Sequence, residues 1–172
     1  MVKKIFNKYS IEVKKVMEVM GHDDSLPYNA ELWVNNKHIA DCFNDGWGGE
    51  TQINIIDVKM FKEVADVVCA TKGAFGEPDW KYDMPTLADE LVALVLKERY
   101  IKKMEKKGLV FDVPNGQTIC VPFTTPTRKN VPIAEVMLTI QGQELVKKTI
   151  AKYKAKGYTL LNTNIKYYKV LN

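Results

Sequence analysis

The residues of this chain best suited to chemistry lie in the run Asn44-Asp45-Gly46-Trp47-Gly48-Gly49. Three glycines in four positions permit positive φ and close approach of a ligand or another backbone. Successive main-chain N–H groups there can form a nest for an anion, and Trp47 between them offers a flat stacking surface. The same run also reads as a glycine-rich bulged turn with Trp47 folded down into the core. Two further groups would complete an anion site. One is Trp80, in an aromatic stretch with Phe75 and Tyr82; the other is Arg128 with Lys129, beside Thr124, Thr125 and Thr127. In that arrangement the glycine run takes a phosphate, Trp47 or Trp80 stacks on a base, and Arg128 or Lys129 neutralises charge.

Other chemistries lack the residues they need. No Gly-x-x-x-x-Gly-Lys-Ser/Thr occurs, and the glycines at 46, 48 and 49 do not space as Gly-x-Gly-x-x-Gly. Asp41, Asp45 and Gly46 fall at positions 1, 5 and 6 of a calcium loop, but Phe43 and Gln52 occupy positions where ligands are required. His22 and His38 are the only histidines; His22 beside Asp23 and Asp24 reads as a polar turn, and no metal or cofactor is expected. His38 and Cys42 share a strand face about 13 Å apart at ~3.3 Å per residue, too far for a nucleophile–base pair. Cys69 in a helix and Cys120 in a strand read as small core residues. Glu50, Glu77, Asp79 and Asp83 are not paired by spacing, so they read as solvated carboxylates rather than an acid–base couple.

The elements that must position these residues follow from periodicity. Tyr9 to Val19 alternates as a strand whose phase breaks at Lys15-Val16, as a bulge would require; a helix through Ile5, Tyr9, Val13, Val16 and Met20 fits the same residues. Gly21 to Pro27 is turn-rich. Ala30–Val34 and His38–Phe43 form a hairpin on Asn35-Asn36, since Asn tolerates the left-handed conformation a two-residue turn demands. Thr51–Ile56 is a short strand. Asp57 caps a helix with Phe61, Val64, Ala65 and Val68 on one face, closed by Gly73. Residues 73–85 form a long aromatic loop. Thr86 with Asp89 resembles a capping box ahead of a helix through Leu87, Leu91, Leu94, Val95, Ile101 and Met104 to Gly108. Leu109–Val113 and Thr118–Phe123 flank Pro114-Asn115-Gly116-Gln117, a second hairpin. Thr124 to Asn130 reads as a polar loop, Asn130 as the cap of a helix that Gly142 breaks, and Gln143 to Lys156 as a lysine-rich helix. Gly157 ends that helix, and Tyr158 to Tyr168 supplies one or two strands. The layout is an α+β fold in one domain, 1–172: an N-terminal antiparallel β-meander with packed helices, a second hairpin and a C-terminal helix-strand.

Composition bounds the function classes. With 172 residues, 46% hydrophobic and 27% charged, the chain is of globular type rather than disordered or collagen-like. Three unpaired cysteines suit a reducing compartment. No apolar run approaches the ~20 residues of a membrane span, and Met1 to Ser10 lacks the apolar stretch of a signal peptide, so a cytoplasmic location is expected. The net charge of +4 is distributed unevenly: residues 1–20 carry +3, residues 21–100 carry −8 and residues 101–172 carry +9. Either these segments neutralise one another or the basic third faces an anionic partner.

Tyr28 to Gly49, read as strand, Asn-Asn turn, strand and NDGWGG, resembles an element of small proteins encoded by bacteriophages and related mobile elements, in which a strand-turn-strand leads to NDGxGG. The matching residues are Ala30 to Ala40 and Asn44 to Gly49; Asn36 and Trp47 depart from the pattern. The resemblance implies that Tyr9 to Val19 is a strand, and it implies a setting, the host cytoplasm, with no chemistry attached. The expected function is therefore non-catalytic: occupying a host protein surface or a small anionic ligand such as a nucleotide signal, in host takeover or against host defence. Self-association is a further partner option. Two alternatives stand beside it. One is a nucleic-acid binder using Lys147, Lys148, Lys152 and Lys154 with Tyr167 or Tyr168 stacking; the other is a metal-dependent hydrolase relying on Asp45.

Overall fold

The computed structural model describes residues 2–18 and 27–165. These divide into two compact units, Met1–Lys97 and Glu98–Asn172. Both combine an antiparallel sheet with helices, which makes the fold α+β. His22, Asp23 and Asp24, the Gly21 to Pro27 connection up to Leu26, and Tyr167 and Tyr168 lie outside the described residues.

The first unit is built on a five-stranded meander in sequence order: β1 (Lys4–Phe6), β2 (Tyr9–Glu18), β3 (Tyr28–Val34), β4 (Lys37–Asn44) and β5 (Gln52–Ile55). Nearest-neighbour hairpins explain the order. Asn35 and Asn36 both take positive φ, 48° and 66°, as a tight turn between twisted strands requires. The phase break at Lys15-Val16 is a bulge: Lys14 pairs with Glu31 and Met17 with Asn29, so two residues oppose Ala30. Lys15 sits at φ 48°. A second bulge leaves Ile39 between the pairs Trp33–His38 and Leu32–Ala40.

One sheet face carries Ile11, Val13, Ala30, Leu32, Val34, Ala40 and Cys42, and helices α1 (Val58–Cys69) and α2 (Met84–Met104) join it in a single core through Val64, Val68, Leu87 and Leu91. Each such fully buried aliphatic contributes about 1.5–3 kcal/mol. Asp57 caps α1, accepting from Met60 N at 3.0 Å. That helix ends at Cys69, short of Gly73; Gly73, at φ 96°, instead opens a 3-10 turn at Ala74–Gly76. Cys69 is exposed, not a core residue, because it falls one position past Val68 and so about 100° round the helix. The cap of α2 is Asp83, whose carboxylate accepts from Thr86 N at 2.7 Å. Thr86 is therefore already inside the helix, and Asp89 is released for another role. The buried stripe of α2 runs through Leu87, Ala88, Leu91 and Val92, with Leu94 exposed. The 73–85 stretch is tied by a Lys72–Lys81 bridge and by Tyr82 N donating to Thr71 O at 3.0 Å, with Tyr82 buried and Phe75 and Trp80 outside.

The second unit has a four-stranded sheet in the order β8-β7-β6-β9: β6 (Gly108–Asp112), β7 (Thr118–Thr125), β8 (Arg128–Val131) and β9 (Thr159–Leu160). The expected hairpin turns at Gly116, φ 84°. The expected polar loop at 124–130 is instead the end of β7, a Pro126-Thr127 turn and β8, held because Phe123 and Val131 pair and are both buried. Asn130 lies within β8 and caps nothing. The helix expected from Asn130 to Gly142 is a single turn, α3 (Ile133–Val136), and α4 (Ile140–Lys154) starts earlier than expected, with Gly142 in its first turn and Thr139 as its cap. Leu109, Phe111, Ile133, Met137, Val146 and Ile150 form this unit's core, with the Tyr153 ring stacked on Phe111 at 4.9 Å.

No described helix is long and apolar enough to cross a membrane.

Candidate functional site

The glycine run is the loop that joins β4 to β5, directly after Phe43 and before Gln52, which pair with each other. Gly46 and Gly48 take positive φ, 78° and 79°, the conformation that makes glycine necessary here. Asn44 Oδ1 accepts from Gly46 N at 2.9 Å, and Asp45 Oδ1 accepts from Trp47 N at 2.9 Å. Two of the amides offered to an anion thus already serve side-chain oxygens, one of them a carboxylate that repels negative charge. Trp47 is 74% exposed and is no core plug. Gly48 and Gly49 have open space where a Cβ would stand.

The base of the loop is fixed. Asn44 Nδ2 donates to Thr51 Oγ1 at 2.9 Å, Thr51 donates to Asp89 Oδ1 at 2.6 Å, and the Tyr28 hydroxyl donates to the same oxygen at 2.8 Å. Burial pushes the Tyr28 phenol well above its ordinary value and the neighbouring Cys42 thiol up to about 12. Both stay neutral, so this cluster positions the loop and supplies no nucleophile.

Trp80 is exposed in the first unit; Arg128 and Lys129 are exposed on β8 of the second. The Arg128 guanidinium meets both Glu135 oxygens, at 2.9 and 3.0 Å. The residues expected to share an anion site therefore divide between Asn44 to Gly49 with Trp80 in one unit and Arg128 with Lys129 in the other.

The outer face of the meander gathers residues that sequence reasoning did not assemble. A groove of about 320 Å³ runs across β2 to β5, lined among others by Lys15, Met17, Asn29, Glu31, Asp41 and Phe43. Register explains the lining: Glu31 pairs with Asp41 and Asn29 with Phe43, so one polar and one partly apolar row lie side by side. Lys15, turned outward by the bulge, meets Glu31 at 2.8 Å. That contact holds the Glu31 carboxyl below its usual range, with Trp33 Nε1 also donating at 3.0 Å. Trp33 is stacked by His38 with 14° between the planes, and Lys14 Nζ lies 3.8 Å from its ring centroid. Met17 and Phe43 are 60% and 39% exposed. Outward parity along β2 to β4, counted across the bulge, was the signal that would have found this face.

Glu31, His38 and Asp41 each offer a metal-ligating atom, all within 4.8 Å of one another. His38 Nε2 is already 2.9 Å from Asp41 Oδ1, and Glu31 is bound to Lys15 and Trp33. A cation here would have to displace the Lys15 ammonium from Glu31.

The charge asymmetry follows the unit boundary. Residues 1–97 hold eleven basic and sixteen acidic side chains, a net −5; residues 98–172 hold fourteen and five, a net +9.

Compared with family models, with curated proteins and with solved structures, the chain matches none.

Proposed function

We propose that this chain is a non-catalytic binding protein whose first unit occupies a partner protein through the outer face of its five-stranded sheet. The observation that carries the reading is the groove across β2 to β5, where Met17 and Phe43 stay exposed on a face that neither α1 nor α2 covers. Exposed apolar side chains set in a polar rim are how protein-recognition surfaces are composed. Trp47, on the loop that follows Phe43, is a second exposed aromatic of the kind that dominates interface energetics. The resemblance of Tyr28 to Gly49 to a phage-encoded element points to a host protein in the host cytoplasm as the partner. A protein partner is favoured over a small anionic ligand because the Gly46 and Trp47 amides serve Asn44 and Asp45.

The test places a photo-cross-linking residue at position 43 of the full chain, expressed in bacterial cells, with Lys59 on the helical side as control. The reading requires one discrete adduct from position 43 that is absent from position 59 and lost when Met17→Glu is added. Equal adducts from both positions overturn it. So does stabilisation of the full chain by millimolar nucleotides or cyclic dinucleotides with no adduct from position 43, which would restore the small-ligand version.

A further inference from the structure

A different surface carries a second inference, independent of the sheet face. The described part of the second unit, residues 98–165, holds twelve basic and five acidic side chains. Four of the five carboxylates are engaged locally: Glu98 with Lys102, Glu105 with Thr163, Asp112 with Thr118 and Glu135 with Arg128. The cations are not balanced in this way. Lys147, Lys148, Lys152, Lys154 and Lys156, on α4 and the turn that follows it, are all exposed, and among the described residues none has a carboxylate within 4.0 Å. The helix macrodipole accounts for cations in the last turn, where Lys152 and Lys154 stand. It does not account for Lys147 and Lys148 in the middle.

The spacing of these lysines suits a regular polyanion. Lys148, Lys152 and Lys156 follow at intervals of four residues, about 6 Å each at the helical rise, and Lys147 and Lys154 stand two turns apart on the other side of the solvent arc. Val146 and Ile150 face the core and fix that orientation. Lys152 and Lys156 lie 6.0 and 5.5 Å from the Tyr153 ring centroid, which restrains both side chains. Tyr153 itself is half-buried against Phe111, so α4 offers no aromatic platform on which an unpaired base could stack. A duplex backbone, with one charge per ≈1.7 Å of axis, matches closely spaced cations without stacking better than the sparse carboxylates of an acidic protein do.

We infer that the lysine face of α4 binds double-stranded nucleic acid through its phosphates, without reading sequence. Five phosphate contacts give log K a slope of about −4.5 against log salt, so affinity falls about 500-fold between 50 and 200 mM salt.

The experiment is fluorescence anisotropy of a labelled 30-base-pair duplex with the full chain across that salt range. The variant Lys148→Gln/Lys152→Gln/Lys156→Gln should reduce the magnitude of the slope by about 3, with unrelated duplex sequences bound equally. A control of equal charge loss in the first unit, Lys59→Gln/Lys62→Gln/Lys72→Gln, should leave the slope unchanged. No binding at 50 mM salt overturns the inference, as does an equal loss in the control. Binding of polyglutamate without binding of the duplex also overturns it and assigns the face to an acidic protein. Thermal unfolding of both triple variants accompanies the titration, and weakened binding counts only where the melting temperature is kept.

Discussion

The carboxylate of Asp89, in the second turn of α2, accepts a hydrogen bond from the Thr51 hydroxyl at 2.6 Å, and so ties the end of the β4–β5 loop to the helix. Tyr28 donates to the same oxygen from β3, at 2.8 Å. Thr51 and Tyr28 are both buried and their hydroxyls lie 3.2 Å apart, so removing the shared acceptor lets one donate to the other and leaves one hydroxyl proton without a partner away from water. Asp89→Ala should destabilise the first unit by about 1–3 kcal/mol, the cost of one stranded polar group. Asp89→Asn, which keeps an acceptor oxygen, should cost less. Urea unfolding of the two variants beside the parent checks the order.

Alkaline pH should weaken the same region. Burial holds the Tyr28 phenol and the Cys42 thiol neutral in the fold, the thiol up to about 12. The unfolded chain releases these protons first, the thiol near pH 8.5 and the phenol near pH 10. Stability is therefore whole below about pH 8.5 and is lost as pH climbs toward 12. Denaturation midpoints at pH 7, 9 and 10.5 should fall in that order, and Cys42→Ala should flatten the early part of the decline. A midpoint that is constant up to pH 10.5 contradicts the buried neutral pair.

The three thiols should separate by accessibility. Cys69 is exposed, Cys120 is half-buried with its sulfur 3.7 Å from Met104 O, and Cys42 is buried. An aromatic disulfide reagent at pH 8 should titrate Cys69 fast, Cys120 slowly and Cys42 only in denaturant. Cys69→Ser should remove the fast phase alone.

Gly142 should resist the substitution that helix propensity favours. Propensity favours alanine over glycine in a helix, by up to about 1 kcal/mol at interior positions and less in the first turn, where Gly142 stands. Here a Cβ would stand 1.8 Å from Val136 O and 2.9 Å from the Thr139 hydroxyl that caps the helix. Main chain would have to move, so Gly142→Ala should destabilise the second unit by about 1–3 kcal/mol. A rise in melting temperature would show that the α3–α4 connection relaxes freely.

How far the sequence could be read depended on whether a signal was local. The Asn35-Asn36 hairpin, the bulge at Lys15-Val16, the Asp57 cap and the Gly116 turn were legible because backbone sterics and side-chain alternation act within a few residues. Thr86 and Asp89 misled as a capping box because Asp83, three residues before Thr86, competes for the same amide and wins it at 2.7 Å. The stretch 124–130 looked like a loop because its polar side chains hide the long-range pairing of Phe123 with Val131.

By itself the sequence determined the α+β layout, the positive φ that Gly46 and Gly48 supply, and the accumulation of lysine toward the C-terminal third. Only the tertiary structure decided that Asp89 turns to Tyr28 and Thr51, and that Lys15, Met17, Glu31 and Phe43 share one face. The reason is physical: a side chain's partner is set by register and packing between segments distant in sequence. Propensity and spacing act only along the chain.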